Sequence, residues 1–493
     1  MRPRFVVGGL LAVWCGSLVA NAADVVLEWN SVLRSVMQQD GTHPVNQANP
    51  GWATRSIAMM NGAIYDVFQA VNRTHVPYQV STHALPNTSL EAAVHQAAYE
   101  LLLHGYPGEQ GILDAEYNAR MALISGGIEK TNGMNLGHNI ALAYIANRTG
   151  DHSDESFPYT PGTDPGEWRP DPYHPTQVAW GPGWRTVNTF AISNTDDFVN
   201  ALPPIPAMNS QAYTDAFNQV KAYGALNSAV RNAAQEESAL FWAYDRPSMG
   251  PPPVLFVRNL EEIAAQAGNS PQENARLFAQ ASVAMADAAI AAWDAKYRFN
   301  FWRPVAAIHE AGVGGPGDND GNPATVADPT WRPLGAPGAD PGDFTDDFTP
   351  PFPAWTSGHA TMGGAMFKAI ELFYGTNSFN QADSLFGIDP VGADYTLTSQ
   401  EAGSGSSRTY TTFTQTGLLD IGTENSPEGE NGVSRIYLGI HWIFDQRDGI
   451  TLGNSIAEYV AANRFQAVPE PSTIALALLG IGGTFGFLHR RPQ

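Results

Sequence analysis

Apolar residues recur at helical spacing along most of the chain, and few segments alternate strictly between apolar and polar residues. This periodicity predicts a mainly helical protein, because residues three and four apart share one face of an α-helix. In residues 89–104, Ser89 is a suitable N-cap and Glu91 lies in the first turn. We predict further helices at residues 57–72, 110–124, 134–147, 228–243, 271–297, 359–374 and 445–463. The predicted fold class is therefore all-α.

Two long stretches, residues 149–182 and 310–353, are rich in glycine, proline and aspartate and are predicted to be irregular. Loops of this length usually have a function or are disordered, and the second leads directly to a Ser-Gly-His triplet. We expect it to form one wall of a pocket. We place an N-terminal helical half at residues 23–225 and a C-terminal half at residues 226–467, packed into one body.

The charge balance limits the possible partners. The chain has 48 acidic and 26 basic residues, which gives a formal net charge of -22. Such a chain repels polyphosphate backbones, so nucleic acid is excluded as a general partner. Because lysine and arginine are scarce, a cluster of them indicates a local anion site.

The first 22 residues have the pattern of a secretory signal peptide. Arg2 and Arg4 precede an apolar run, and residues 20–22 (Ala-Asn-Ala) form a small-residue cleavage site. A buried N-terminal helix is the alternative. The single cysteine, Cys15, lies inside this segment, so the rest of the chain can form neither a disulfide nor a cysteine-ligated metal site.

The C-terminus carries a second candidate processing signal. Residues 468–471 (Val-Pro-Glu-Pro) precede an apolar stretch at residues 472–488, and Arg490 and Arg491 follow it. This order resembles a PEP-CTERM sorting tail, which exosortases cut in Gram-negative bacteria, although a plain membrane anchor is the alternative. The resemblance implies export to the periplasm, outer surface or extracellular matrix of a Gram-negative bacterium. It also implies an exosortase-type processing partner and membrane contact only through the tail.

The first of three segments with candidate catalytic residues spans residues 292–304. Lys296 and Arg303 lie seven positions apart, which on one continuous helix would put both cations on the same face. Taken alone, such a pair more often marks a solvated helix face. Neighbouring Trp and Phe residues in an acidic chain favour a binding site instead.

The second segment is a proline-rich approach to Ser357, Gly358 and His359, where a predicted helix begins. Backbone N–H groups at a helix N-terminus bind anions, and the hydroxyl and imidazole groups could add a hydrogen bond and a proton donor. In isolation the triplet also fits ordinary helix capping.

The third segment contains Arg435, His441 and Asp445. On a continuous helix His441 and Asp445 would share one face, where the carboxylate can bind one imidazole nitrogen and leave the other as a nucleophile or ligand. Arg435 would supply a planar fork for oxyanion oxygens. Taken alone, such a His–Asp pair is more often a structural contact.

Together the three segments resemble the signature of the vanadium haloperoxidase and type 2 phosphatidic acid phosphatase superfamily. The shared pattern is Lys, six residues, Arg-Pro; then Ser-Gly-His; then Ser-Arg, five residues, His, three residues, Asp. This chain departs from the family in two ways. Thr356 stands where the family usually has proline, and the spacing from His359 to Ser434 is longer. We expect residues 387–432 to form an extra surface excursion.

The resemblance implies helical bundles around an oxyanion site. In a haloperoxidase the cofactor would be vanadate, with His441 as the ligand of the metal and Asp445 fixing the imidazole tautomer. His359 would act as acid and base, and Lys296 would polarise hydrogen peroxide. The groups expected to bind the oxygens of vanadate or phosphate are Lys296, Arg303, Ser357, Gly358 and Arg435.

Three functions remain open on these grounds. A vanadate-dependent haloperoxidase would oxidise halide with hydrogen peroxide to hypohalous acid. An exported acid phosphatase would need no cofactor and would use His441 as the nucleophile on a phosphate ester. A non-catalytic surface or matrix protein would use the scaffold only for binding.

Two features favour the haloperoxidase. Trp293 and Phe352 match the aromatic halide pocket of the chloroperoxidase branch, although both could instead be core aromatics. Lipid phosphatases of the superfamily span membranes, whereas no 18-residue apolar run lies between the two terminal signals. The preference between chloride and bromide stays open.

Overall fold

The structure is a computed structural model. It describes residues 24–40, 49–244, 249–312, 320–337, 349–378, 394–401 and 406–469. The predicted signal peptide at residues 1–22 lies outside these ranges, and so does the predicted sorting tail from residue 470 onward.

The described residues form fourteen α-helices, two 3₁₀ turns and one two-stranded antiparallel sheet, which confirms the predicted all-α class. The helices are α1 (Val25–Gln39), α2 (Asn49–Asn72), α3 (Leu90–Gly105), α4 (Gln110–Leu123), α5 (Ile128–Arg148), α6 (Asp196–Val199), α7 (Gln211–Tyr223), α8 (Ala233–Phe241), α9 (Pro253–Ala267), α10 (Pro271–Phe299), α11 (Pro304–Glu310), α12 (Gly358–Tyr374), α13 (Pro427–Tyr437) and α14 (Ile443–Asn463). The strands are β1 (Tyr395–Ser399) and β2 (Ser406–Tyr410), and the 3₁₀ turns are Pro107–Glu109 and Trp184–Thr186.

Helix α10 is the central element of the fold and packs against α2, α12 and α14. Ser270 and Glu273 form a capping box at its start, and Pro271 occupies the first helical position. Its side chains are buried almost without interruption from Asn274 to Lys296. The helix therefore delivers the Lys296 ammonium group into the protein interior.

Helices α12 and α14 pack closely along their length and carry parts of the second and third motif segments. At Gly453, an added Cβ would lie 2.2 Å from the carbonyl oxygen of Thr361. At Gly449, an added Cβ would lie 3.0 Å from the carbonyl oxygen of Ser357. Glycine at these two positions permits the close approach that fixes the start of α12 against α14.

The structure corrects several predicted elements. The helix predicted at residues 228–243 is shorter, since α8 covers Ala233–Phe241. The helical periodicity did not predict α1, α6, α7, α9, α11, α13 or the hairpin. The expected surface excursion at residues 387–432 is wrong for β1, because Tyr395 and Leu397 are buried in the core beside α9. Residues 416–418 of the same stretch are exposed.

The stretch at residues 149–182 contains no helix or strand, as predicted, and α11 ends at Glu310 before the second long stretch. Within the described part of the chain, no helix has the length and apolar character needed to cross a membrane. The division into halves at residues 225 and 226 stays a prediction.

The close packing of α12 on α14 gives a stability prediction. We expect Gly453→Ala to lower the free energy of unfolding by about 1–3 kcal/mol, because the new methyl group must push the helices apart. The matched control is Gly111→Ala on α4, where an added Cβ meets nothing within 4 Å. This control should be neutral or stabilising by up to about 1 kcal/mol. Urea unfolding followed by circular dichroism measures both, and equal effects of the two substitutions would contradict the packing argument.

Candidate active site

The three motif segments meet at the ends of five helices. Lys296 lies in the last turn of α10, and Arg303 is the N-cap residue of α11. Ser357 is the N-cap residue of α12. Arg435 lies in the last turn of α13, and His441 lies in the connection that leads to α14. All five side chains are buried, so the site lies inside the protein.

Two buried cations bind the main chain of the segment 352–356. The Lys296 Nζ atom donates to the carbonyl oxygens of residues 353 and 354, both at 3.0 Å, and of residue 356 at 2.5 Å. The Arg303 Nε atom donates to the Phe352 carbonyl oxygen at 2.9 Å. The proline-rich approach to Ser357 is thereby held between the end of α10 and the start of α11.

The expectation that Lys296 and Arg303 share one helix face is wrong. Helix α10 ends at Phe299, and Asn300 adopts the left-handed conformation with φ 51°. Asparagine tolerates this conformation better than most residues, which makes it a suitable helix terminator. The two cations instead reach the same segment from two consecutive helices, with the turn between them setting their separation.

The Phe352 ring contacts both cations. The Lys296 Nζ atom is 4.9 Å from the centroid of its ring, and the Arg303 Cζ atom is 4.8 Å from it. The Trp293 and Phe352 rings are 5.1 Å apart between centroids, and both side chains are buried. The two aromatic residues therefore form an apolar wall directly beside the cations.

His441 and Asp445 are hydrogen-bonded, with 2.7 Å between the His441 Nδ1 and Asp445 Oδ2 atoms. The Arg303 Nη1 atom lies 2.9 Å from the His441 Nε2 atom. An arginine only donates hydrogen bonds, so the Nε2 atom accepts from Arg303, and these contacts fit a neutral imidazole with its proton on Nδ1. The lone pair of Nε2 then faces the cations.

The expectation that one helix carries both His441 and Asp445 is also wrong. Helix α13 ends at Tyr437, because Gly439 takes a φ of 75°, and α14 begins at Ile443. Asp445 lies in the first turn of α14 and also accepts a hydrogen bond from the Trp442 N–H group at 3.1 Å. The carboxylate thus caps the helix and orients the preceding histidine.

His359 contacts a third cation. Its Nε2 atom lies 3.0 Å from the Arg435 Nη1 atom and 3.0 Å from the Ala243 carbonyl oxygen. One imidazole nitrogen either donates or accepts, so each tautomer makes one of these two hydrogen bonds. The Phe256 ring packs edge-on against the His359 ring, with 6.3 Å between the ring centroids.

Ser357 and Gly358 form the N-terminus of α12. The Ser357 Oγ atom accepts from the Ala360 N–H group at 3.4 Å, and its own N–H group donates to the Asp445 carbonyl oxygen at 3.1 Å. An added Cβ at Gly358 would lie 3.3 Å from the Trp293 ring. The start of α12 is therefore positioned by Asp445 on one side and by the aromatic wall on the other.

Burial and mutual repulsion perturb the charges of the site. Burial, with Arg303 nearby, holds the pKa of Lys296 well below its ordinary value. Burial and Arg435 lower the pKa of His359, and burial lowers the pKa of His441 with contributions from Arg303, Lys296 and Arg435. Burial raises the pKa of Asp445 to about 8. Such a dry cluster of cationic groups favours an anion as its ligand.

Asp448 is a second carboxylate near the site that the motifs did not predict. The Trp355 Nε1 atom donates to the Asp448 Oδ2 atom at 2.7 Å, and both side chains are buried. Trp355 lies within the segment that binds Lys296, so Asp448 helps to fix that segment. Its position three residues after Asp445 on one face of α14 was the available signal.

The chain resembles known proteins along most of its length. Residues 276–469 match the family model of the VCPO second helical-bundle domain. A vanadium chloroperoxidase from Curvularia inaequalis is 28% identical over 498 residues, covering 85% of this chain and 78% of that protein. Both matches support the vanadium haloperoxidase and type 2 phosphatidic acid phosphatase superfamily. This confirms the family predicted from the three motifs.

Solved structures of vanadium haloperoxidases share the fold. A bacterial vanadium-dependent iodoperoxidase superposes with a TM-score of 0.69 at 20% identity, covering 91% of this chain and 97% of that one. An apo bacterial vanadium-dependent chloroperoxidase superposes with a TM-score of 0.58 at 13% identity, covering 86% and 95%. Residues 467–491 match the PEP-CTERM protein-sorting motif, as predicted, and this motif indicates that the protein is exported.

The cation cluster gives a prediction for the pKa of His441. We expect Lys296→Met to raise this pKa toward its ordinary value, because one charge that disfavours the imidazolium is removed. The control is Lys221→Met on α7, where the lysine binds the Val326 carbonyl oxygen. Nitrogen-detected NMR titration of histidine-labelled protein measures the His441 pKa in both variants. An unchanged His441 pKa in the Lys296 variant would show that the electrostatic argument is wrong.

Proposed function

We propose that this protein is a vanadate-dependent haloperoxidase that oxidises halide with hydrogen peroxide to hypohalous acid. The observation that carries the proposal is the position of the His441 Nε2 atom, which is buried and faces a cluster of cations beside an apolar aromatic wall. The chloroperoxidase name of the Curvularia inaequalis relative supports the same activity.

The donor groups of the site fit vanadate. An oxyanion needs positive charge and N–H donors around its oxygens, which Lys296, Arg303, Arg435 and the start of α12 would supply. Vanadate in addition needs a neutral imidazole nitrogen as its ligand, and this role is proposed for the His441 Nε2 atom. When bound there, vanadate supplies a Lewis-acidic centre that activates hydrogen peroxide toward halide.

The residues around this centre have separate tasks. Asp445 holds the His441 Nδ1 proton, which keeps the lone pair of Nε2 directed at the cations. His359 would serve as the acid and base of the site, and its lowered pKa, caused by burial and Arg435, leaves its imidazole ready to accept a proton. Lys296 would polarise hydrogen peroxide at this centre through the charge of its Nζ atom, which three carbonyl oxygens hold in place.

Trp293 and Phe352 form the proposed halide pocket. Their rings exclude water on the side of the site where the Lys296 and Arg303 side chains lie. A halide ion placed there loses part of its hydration and keeps the attraction of two cations, which makes it a better nucleophile.

The proposed location is outside the cytoplasm of a Gram-negative bacterium: the periplasm, the outer surface or the extracellular matrix. The sorting motif at residues 467–491 supports an exosortase-type enzyme as a processing partner. Membrane contact is proposed only for this tail.

The first experiment measures halogenation by the full chain, first freed of bound oxyanions and then reconstituted with orthovanadate. We expect bromide- or chloride-dependent halogenation with hydrogen peroxide that requires vanadate. His441→Ala should lower the rate by at least about a hundredfold, because the proposed ligand nitrogen is lost. The matched control is His138→Ala on α5, a half-exposed histidine paired with Glu100, which should leave the rate unchanged.

A parallel assay measures hydrolysis of a phosphate ester without vanadate. Hydrolysis that vanadate inhibits, without halogenation, would make the protein an exported acid phosphatase with His441 as nucleophile. Inactivity in both assays would favour a non-catalytic surface or matrix protein.

The aromatic wall gives a prediction for halide selectivity. We expect Phe352→Ala to lower the rate of chloride oxidation about tenfold more than that of iodide oxidation, because water enters and chloride depends more on a dry site. Phe352→Leu keeps an apolar side chain and should retain most of the chloride activity. Steady-state rates with each halide at fixed peroxide measure the ratio, and an equal loss for both halides would rule out a desolvating role.

A further inference from the structure

A cavity lies outside the candidate active site, within the irregular stretch 149–182 and the turn that follows it. Its volume is about 220 Å³. The rings of Phe157, Tyr159 and Trp184 line it together with the polar residues His152 and Glu155. An apolar cavity of about 150 Å³ is large enough for benzene, so this cavity has room for one substituted aromatic ring.

The cavity is next to the proposed halide pocket. Trp184 lines the cavity and packs in the same buried cluster as Trp293 and Phe352. The Trp180 carbonyl oxygen accepts hydrogen bonds from the Tyr297 hydroxyl group at 2.5 Å and from the Trp293 Nε1 atom at 3.4 Å. A layer of aromatic side chains therefore separates the cavity from the cations of the active site.

The polar side of the cavity carries a histidine and a carboxylate in contact. The His152 Nδ1 atom lies 2.7 Å from the Glu155 Oε1 atom. A carboxylate accepts the Nδ1 proton, which leaves the Nε2 atom as a proton acceptor. His152 has a φ of 70°, which is uncommon for a residue other than glycine and is often found at functional sites.

We propose that this cavity binds a phenolic acceptor and that His152 accepts its hydroxyl proton while hypohalous acid halogenates the ring. The proposal rests on the haloperoxidase function above, which supplies the hypohalous acid. The three aromatic side chains would stack on the acceptor ring. A neutral phenol also fits the net charge of -22, which disfavours anionic acceptors.

The reaction is balanced without a further reagent. The ring carbon attacks the halogen of hypohalous acid, a carbon–halogen bond forms, and the oxygen–halogen bond breaks. The hydroxide that leaves takes the proton from the ring carbon and becomes water. His152 takes the phenolic proton as the ring attacks and returns it to the phenolate oxygen afterwards. The halogen is reduced to the halide level while the ring is oxidised to the halophenol.

Binding is tested first on the full chain without vanadate, with p-cresol as the probe. Val178 lines the cavity and is 64% exposed, so Val178→Trp can fill the space from its rim. We expect saturable binding by the wild type, measured by calorimetry or ligand-detected NMR, and at least about a tenfold weaker affinity in the variant. The matched control is Val326→Trp, where the valine is 65% exposed and is not a lining residue, and it should bind p-cresol like the wild type.

The proton transfer is tested on the vanadate-loaded protein. His152→Asn keeps a residue that tolerates the left-handed backbone but cannot act as a base. We expect it to lower kcat for p-cresol halogenation at least about tenfold. It should leave KM for p-cresol nearly unchanged and have little effect on 4-methylanisole, which has no hydroxyl proton. Val178→Trp should instead raise KM for both acceptors.

Iodide oxidation to triiodide without an acceptor separates this proposal from the proposed function. Loss of triiodide formation in the wild type would overturn the haloperoxidase function, while the binding measurement would still decide whether the cavity takes a phenol. Equal p-cresol affinity in Val178→Trp and the wild type would overturn the proposed acceptor site. A halogenation rate that rises linearly with p-cresol, without saturation, would also overturn it.

Discussion

The site depends on the hydrogen bonds between two buried cations and the carbonyl oxygens of residues 352–356. Burying a charge is costly unless hydrogen bonds replace its lost hydration, and main-chain carbonyl groups supply that replacement for Lys296 and Arg303. The same bonds fix the segment that leads into Ser357. The cations therefore hold the backbone of the site and provide its positive potential.

Asp445 connects the remaining parts of the site. Its side chain accepts from His441 and from the Trp442 N–H group, and its carbonyl oxygen accepts from the Ser357 N–H group. One residue in the first turn of α14 thus sets the histidine tautomer and the start of α12. The close packing at Gly449 and Gly453 keeps these two helices in register, so the geometry of the site depends on a contact far along α14.

The aromatic residues connect the two proposed binding sites. Phe352 lies against both cations, and Trp293 packs on Phe352. Trp184 belongs to the same buried cluster and also lines the cavity. In the proposed function this layer lowers the hydration of the halide on its inner side. The outer side of the same aromatic layer would form one wall of the phenol-binding cavity. This arrangement would place the phenol next to the source of hypohalous acid.

The sequence by itself determined the helical class, the family and the identity of the residues that the structure brings together. Helical periodicity and motif spacing are local properties, and Lys296, Arg303 and His441 could be named from them. Only the tertiary structure decided how they meet. Asn300 and Gly439 adopt left-handed backbones that interrupt the continuous helices assumed in the motif argument. Both positions contact residues distant in sequence, since the Tyr159 hydroxyl group donates to the Asn300 side chain and the backbone of Gly224 lies against Gly439. The carbonyl ligands of Lys296 and the partner of the Trp355 Nε1 atom lie far away in sequence, so no local pattern could have shown these contacts. The cavity is lined by one irregular stretch, residues 152–184, whose backbone conformation no periodicity predicts.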